Sequence, residues 1–174
     1  MALATEEFDL AAGGSWQKDD IPAGVVVHVD ETADGDYSTS RDPANGEVAI
    51  VAGRGHDSPV VVSFSNERKT GGITVGKQLD GPQGDHPFSF RLVVKRRDGT
   101  VYRTEDFQLV NGAFRTFDSI PSDYSYEVSE ATEAHFRLLS FDGPTGRVPV
   151  GTNASAVAKN ESNVYMMLVK GVTL

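Results

Sequence analysis

The chain contains no cysteine among its 174 residues. This absence excludes disulfide bonds, thiolate metal sites and cysteine nucleophiles together. Exported domains commonly resist unfolding through disulfides, so an exported protein with this composition would need another means of stabilisation.

Basic residues and long apolar runs are also scarce. The sequence has 16 Lys and Arg against 25 Asp and Glu, which gives a formal net charge of -9. A phosphate backbone attracts a basic surface, so this balance argues against a nucleic-acid partner. The longest apolar runs, such as residues 164–169, are far too short to span a bilayer. We therefore expect no membrane insertion and no signal peptide within this sequence.

No stretch of the chain sustains helical periodicity. Short alternating segments recur between clusters of Gly, Pro, Asp and Asn, and the pair Asp98-Gly99 predicts a tight hairpin turn between two of them. This rhythm is typical of an all-β fold built of antiparallel sandwiches. The predicted strands cover residues 6–10, 25–31, 47–51, 60–66, 73–79, 88–95, 101–109, 113–117, 124–130, 135–139 and 164–171.

The sequence contains an internal repeat. Residues 3–31 match residues 102–130 at a constant offset of 99, and ten of the 29 aligned positions are identical. About thirty residues that contain two predicted strands precede the second copy and have no counterpart before the first. We therefore expect residues 1–70 to be the C-terminal part of a first repeat and residues 71–174 to be a second, complete repeat.

Charged and amide side chains occur on the apolar faces of several predicted strands. Lys77 lies on the apolar face of strand 73–79, because side chains alternate between the two faces of a strand. Glu31 and Glu130 end equivalent strands of the two copies, and Asn66 ends the last strand of the first copy. Burying such a group without a partner costs about 2–7 kcal/mol. These groups should therefore contact one another, unless each lies at a strand end and extends outward to solvent.

A lysine, a glutamate and an asparagine in this order resemble the B-type immunoglobulin-like repeats of Gram-positive pilins and collagen-type adhesins. The segments that resemble the family are ITVGKQLDG around Lys77, VHVDE and YEVSE ending in Glu31 and Glu130, and VVVSFSN ending in Asn66. The resemblance extends over nearly the whole chain. It implies tandem immunoglobulin-like antiparallel β-sandwiches.

In that family the lysine and the asparagine join in a spontaneous isopeptide bond. The resemblance therefore implies that Lys77 and Asn66 are isopeptide-reactive residues and that Glu31 and Glu130 shuttle protons as ammonia leaves. An apolar pocket lowers the pKa of a lysine, which makes its amine nucleophilic, and raises the pKa of a carboxylic acid, which can then polarise the amide. The bond forms once per molecule, so its formation is not an enzyme activity, and it needs no cofactor. The bond would take the place of disulfides.

The first copy departs from the family pattern. It has Glu31 and Asn66 but not the strand that should contain its lysine. A sheet that lacks its opening strands leaves an unpaired edge, which something must cover. The tail of a neighbouring molecule is one candidate, because it would place Lys170 beside Asn66 as a donor strand.

The second copy departs in a different way. It has Lys77 and Glu130, but the position that aligns with Asn66 is Lys170, and a lysine cannot serve as the electrophile. Asn160 and Asn163 are nearby in the sequence, but neither is predicted to be the acceptor. We therefore expect no isopeptide bond at Lys77.

Metal and catalytic motifs are weak. The acidic segment 30–36 lacks the 12-residue ligand pattern of a calcium loop, and the four histidines are not paired at metal-ligand spacing. The segment 53–58 contains Gly, His, Asp and Ser, but not in the context of a nucleophile elbow. We expect neither a metal nor a cofactor, and we expect that the chain is not an enzyme.

The resemblance implies a structural stalk or pilus module of a bacterial cell-surface protein. Its partners would be adjacent repeats of the same protein, and its location would be extracellular and cell-wall-anchored, with the signal and anchor outside this sequence. The alternative is an adhesin module that binds a host matrix protein or a glycan. Loops 33–45 and 143–159 would then be the contact surfaces, because binding residues often lie on loops.

Overall fold

The structure is a computed structural model that describes residues 4–162. This part of the chain contains twelve β-strands and no helix, and therefore no helix that could span a membrane. The expectation of an all-β fold is confirmed. The chain divides between Glu67 and Arg68 into two compact units.

The first unit contains four short strands in two pairs. β1 pairs with β3 in antiparallel fashion, and Val27 lies opposite Val48. β2 pairs with β4. The strands are β1 (Val26–His28), β2 (Tyr37–Asp42), β3 (Glu47–Ala49) and β4 (Ser63–Arg68).

The second unit is a β-sandwich of two four-stranded sheets. One sheet has the order β10-β12-β5-β8 and the other has the order β11-β9-β6-β7. The strands are β5 (Thr70–Asp80), β6 (Phe88–Lys95), β7 (Val101–Leu109), β8 (Phe114–Pro121), β9 (Ser125–Glu130), β10 (Phe136–Asp142), β11 (Thr145–Arg147) and β12 (Asn153–Ser162). Neighbouring strands are antiparallel except for β5 and β12, the first and last strands, which are parallel.

The core of the second unit lies between the two sheets. Alternate residues of β5 and β6 face it, and Ile73, Val75, Leu92 and Val94 are fully buried. Each fully buried side chain of this size contributes about 1.5–3 kcal/mol. The predicted strands 88–95 and 101–109 match β6 and β7, and the turn between them places Gly99 at a φ of 84°, a conformation that glycine adopts without strain.

The two units share part of their strand pairing. At the offset of 99, β1, β2 and β3 fall on β9, β10 and β11, and β4 pairs with β2 as β12 pairs with β10. The prediction of a strand at residues 6–10 is wrong, because these residues form no strand. They align with β7, which pairs only with β6 in the second unit, and no described strand of the first unit corresponds to β6.

The last described strand lies where the sequence predicted a loop. β12 falls largely within residues 143–159, whereas the predicted strand 164–171 lies outside the described residues. Ala156 and Ala158 of β12 are fully buried between β10 and β5. Alanine has a low β propensity, so tertiary packing rather than local preference forms this strand.

Candidate functional site

Lys77 lies in the core of the second unit. It belongs to β5, a strand flanked by β12 on one side and by β8 on the other. The alternation that buries Val75 also turns Lys77 inward, and its side chain is fully buried. A buried ammonium group requires a partner of opposite charge.

Glu130 provides that partner from the opposite sheet. It is the last residue of β9, and its side chain is 3% exposed. The Nζ atom of Lys77 donates to both carboxylate oxygens of Glu130, at 3.0 and 3.1 Å. The ion pair therefore connects the two sheets through the core.

Asn160 binds the same carboxylate. It lies on β12, and its Nδ2 atom donates to Oε1 of Glu130 at 2.7 Å. The Oδ1 atom of Asn160 is buried and has no hydrogen-bond partner. A half-turn of the amide would direct Oδ1 at the carboxyl group, where a protonated Glu130 could donate to it.

The surroundings of Lys77 are apolar and aromatic. Burial lowers the pKa of Lys77 below its ordinary value, while the hydrogen bond and the charge of Glu130 act in the opposite direction. The Nζ atom lies 3.9 Å from the centroid of the Phe88 ring. Phe136 packs edge to face on Phe88 at 4.9 Å and closes the cluster.

A small cavity adjoins the cluster. Its volume is about 60 Å³, and Glu130, Asn160 and Phe136 are among its lining residues. A cavity of this size can hold a water molecule or an ammonia molecule. A small leaving group therefore has space beside the asparagine amide.

The three polar groups together can condense an amine with an amide. A lysine of lowered pKa supplies the nucleophile, the amide carbon of Asn160 is the electrophile, and the carboxyl group between them can accept and return protons. The core excludes bulk water, which would otherwise solvate the amine and compete for the carboxyl group.

The first unit contains a second glutamate–asparagine pair. Nδ2 of Asn66 donates to Oε1 of Glu31 at 2.7 Å, and the hydroxyl of Thr39 donates to Oδ1 of Asn66 at 2.6 Å. Both Glu31 and Asn66 are exposed.

The sequence profile of a family described as a domain of unknown function, DUF5979, matches residues 2–68 and 73–166. The chain belongs to the DUF5979 family. No curated protein sequence matches it.

Solved structures that are similar to this DUF5979 chain include pilins and adhesins, the class that its sequence motifs resemble. The major pilin T3.2 of Streptococcus pyogenes is 15% identical, with a TM-score of 0.48, over 79% of this chain and 66% of the pilin. The pilus-presented adhesin Cpa (Spy0125) is 16% identical, with a TM-score of 0.46, over 53% of this chain and 27% of the adhesin. A Mobiluncus mulieris adhesin that contains disulfide, isopeptide and ester cross-links is 18% identical, with a TM-score of 0.39, over 74% of this chain and 55% of the adhesin.

The chain thus spans about a quarter of the adhesin Cpa and about two thirds of the pilin.

The asparagine beside Glu130 is not the position that the sequence alignment considered. The expectation that Lys77 lacks an acceptor relied on aligning Lys170 with Asn66, and Lys170 lies outside the described residues. The structure instead places Asn160, which sequence analysis set aside, against Glu130. The signal that could have identified it is the alternation of Ala154, Ala156 and Ala158 before the asparagine, which is a period-two pattern of small residues.

Among the described residues of the DUF5979 chain, no group of three or more His, Asp or Glu side chains could hold a metal ion. The candidate functional site is the buried cluster of Lys77, Glu130 and Asn160.

Proposed function

We propose that the second unit forms an intramolecular isopeptide bond between Lys77 and Asn160, with Glu130 as the proton shuttle, and that the chain is a structural module of a pilus or stalk on a bacterial surface. The contact of one buried carboxylate with both the amine and the amide supports this proposal most directly. Such an arrangement brings nucleophile, electrophile and proton carrier together without a cofactor.

The reaction balances with the atoms of these three side chains. Glu130 accepts a proton from the Lys77 ammonium, and the neutral Nζ attacks Cγ of Asn160. As the new Nζ–Cγ bond forms, the Cγ–Nδ2 bond breaks. Nζ loses two protons in all. One joins the departing Nδ2 to complete ammonia. The other passes through Glu130 to that ammonia, which leaves as ammonium.

The apolar surroundings favour this reaction over a permanent ion pair. Burial lowers the pKa of Lys77, so the neutral amine is reached at a smaller cost than in water. The adjoining cavity offers the ammonia a place to go. Because the product is a stable amide, the reaction takes place once per molecule and is not an enzymatic turnover.

The bond would stabilise a surface protein that has no cysteine. It would join β5 to β12 and so close the second unit covalently, as a disulfide would in other exported domains. Residues 1–70 and 71–174 would be consecutive repeats of such a stalk, and their partners would be adjacent repeats. The cell surface, with attachment to the cell wall, would be the location.

Intact mass spectrometry of the purified chain tests the proposal. The expected mass is one ammonia below the sequence mass, and tandem mass spectrometry should identify a branched peptide that joins Lys77 to Asn160. The Asn160→Ala variant should have its full sequence mass. A native chain of full sequence mass would overturn the proposal.

A further inference from the structure

Over the described residues, the main chain of Lys77 forms the last backbone hydrogen bonds between β5 and the segment that leads into β8. The Lys77 N–H donates to the Ala113 carbonyl at 3.0 Å, and the Gly112 N–H donates to the Lys77 carbonyl at 2.9 Å. β5 continues from Lys77 to Asp80, whereas the segment before β8 turns away at residues 110–113. The end of β5 therefore extends past the strand on this side.

Asn111 continues this hydrogen bonding with its side chain. Its Oδ1 atom accepts a hydrogen bond from the Leu79 N–H at 2.8 Å. The N–H of Asn111 in turn donates to the Gly84 carbonyl at 3.2 Å, which fixes the position of the asparagine. Leu79 is 7% exposed, and a buried N–H that loses its acceptor is unfavourable. The amide oxygen of Asn111 thus takes the place of a strand carbonyl.

Leu79, the residue that Asn111 holds, lies opposite Asn160. The two are Cα partners in the parallel pairing of β5 with β12. Lys77 precedes Leu79 by two residues, and both side chains face the core. The position of this end of β5 therefore sets how far Nζ of Lys77 lies from the amide of Asn160. Reactions between held groups are sensitive to such distances, and a misplacement of about 1 Å costs about 100-fold in rate.

The turn that contains Asn111 does not itself require an asparagine. In residues 110–113 the first carbonyl accepts from the last N–H at 3.0 Å, and the glycine has a φ of 77°. Residues 11–14, which align with them at the offset of 99, form the same turn, with a distance of 2.8 Å and a glycine φ of 76°. Ala12 occupies the position of Asn111 there. The contact with Leu79 therefore accounts for the asparagine, whereas the turn does not.

We propose that Asn111 is a positioning residue for the reaction between Lys77 and Asn160. Its side-chain oxygen fixes β5 at Leu79, and the fixed strand holds the lysine amine beside the asparagine amide and the carboxyl group of Glu130. Asn111 acts through the main chain of Leu79 and takes no part in the chemistry of the bond. This inference rests on the proposed function, because it assigns a role in that reaction.

Intact mass spectrometry during cell-free synthesis of the full chain measures how fast it loses ammonia. Asn111→Ala removes the acceptor of the Leu79 N–H and should slow the loss by about 100-fold. Asn111→Asp keeps a side-chain oxygen of the same reach and should restore the native rate. Asn111→Ala is expected to fold, because the equivalent turn has Ala12. Asn111→Ser, whose shorter side chain withdraws the oxygen, is a second variant and should also react slowly.

A matched variant separates positioning from stability. Val94 is fully buried on β6, in the other sheet, and Val94→Ala leaves a cavity in the core. Urea denaturation compares the stability of Val94→Ala and Asn111→Ala, each combined with Asn160→Ala so that no bond forms. Val94→Ala should be the less stable of the two and should still lose ammonia at the native rate. A residue that only stabilised the fold would instead slow the reaction in proportion to the lost stability.

The native chain reports the proposed bond separately. If it keeps its full sequence mass, the bond and the role of Asn111 both fail. If it reacts and Asn111→Ala reacts equally fast, only the role of Asn111 is overturned. Equal slowing in Val94→Ala would attribute the effect to stability, and a slow Asn111→Asp would mean that the oxygen acceptor is not its cause. Either of these results would also overturn the positioning role and leave the bond intact.

Discussion

Lys77 and Asn160 lie on adjacent parallel strands, and Asn160 is two residues beyond the position directly opposite Lys77. Ala158 is the Cα partner of Lys77, and Asn160 follows two residues later, so both polar side chains face the core and reach the same carboxylate. A bond between them would join the first strand of the second unit to its last described strand.

The first prediction concerns stability. Asn160→Ala removes the acceptor, and the loop between Lys77 and Asn160 is then no longer closed. By the loop-entropy estimate used for disulfides, the free energy of unfolding should fall by about 4–5 kcal/mol. Urea denaturation measures it. The exposed Asn153 of the same strand is the matched control, and Asn153→Ala should change stability by less than about 0.5 kcal/mol. Equal stability of the two variants would contradict a covalent closure.

The second prediction concerns the proton shuttle. Glu130→Gln keeps the shape of the side chain but cannot accept a proton from Lys77, so the chain should retain its full sequence mass. Compared with Asn160→Ala, which also lacks the bond but keeps the ion pair, the variant should be less stable by about 3–5 kcal/mol, because Lys77 loses the partner of its buried charge. Glu127→Gln is the control, since Glu127 lies on the same strand and is exposed. A chain with Glu130→Gln that still loses ammonia would exclude Glu130 as the shuttle.

The third prediction concerns pH. In Asn160→Ala the Lys77 amine stays free, and burial should hold its pKa below the ordinary value of 10.5. Between the folded pKa and 10.5 the unfolded state binds more protons, so the free energy of unfolding should rise with pH in that window. NMR titration of lysine labelled at Cε checks the pKa, with the urea-denatured variant as the reference. A Lys77 signal that titrates at or above 10.5 would refute the prediction.

The fourth prediction concerns the start of β5. A Cβ atom at Gly71 would lie 1.9 Å from the carbonyl oxygen of Pro149, a contact that the backbone must move to relieve. Gly71→Ala should therefore disturb the pairing of β5 with β12, lower the thermal midpoint and leave part of the purified chain at full sequence mass. Gly84→Ala is the control, because its Cβ would make only ordinary contacts at 3.8 Å. Identical behaviour of the two variants would mean that β5 tolerates a side chain at this position.

The sequence predicted the strands whose burial follows a hydrophobic period of two. β6 and β7 were predicted with their bounds, because Phe, Leu and Val alternate with polar residues and an Asp-Gly turn separates them. β12 was missed because its core face consists of small residues, which lack the signal of a strand. The segment at residues 6–10 has apolar residues, but no described strand of the first unit pairs with it. The local sequence pattern does not show whether a partner strand is present.

The candidate site was predicted in part for the same reason. Lys77 and Glu130 stand out because a charge on an apolar strand face is unusual, and the structure brings them together. Prediction of Asn160 required the position of β12. The sequence alignment placed the last strand at residues 164–171 instead, because that segment is more apolar. The position of Asn160 beside Glu130 is therefore visible only in the tertiary contacts.

The parallel pairing of β5 and β12 has a mechanical consequence. Tension applied between Thr70 and Ser162 pulls two parallel strands past each other lengthwise, so their backbone hydrogen bonds are loaded together in shear rather than one after another. With a covalent link from Lys77 to Asn160, the load would leave β5 at Lys77 and pass directly to the end of β12. Residues 78–159 would then bear no force, and the unit could transmit a pull without extending.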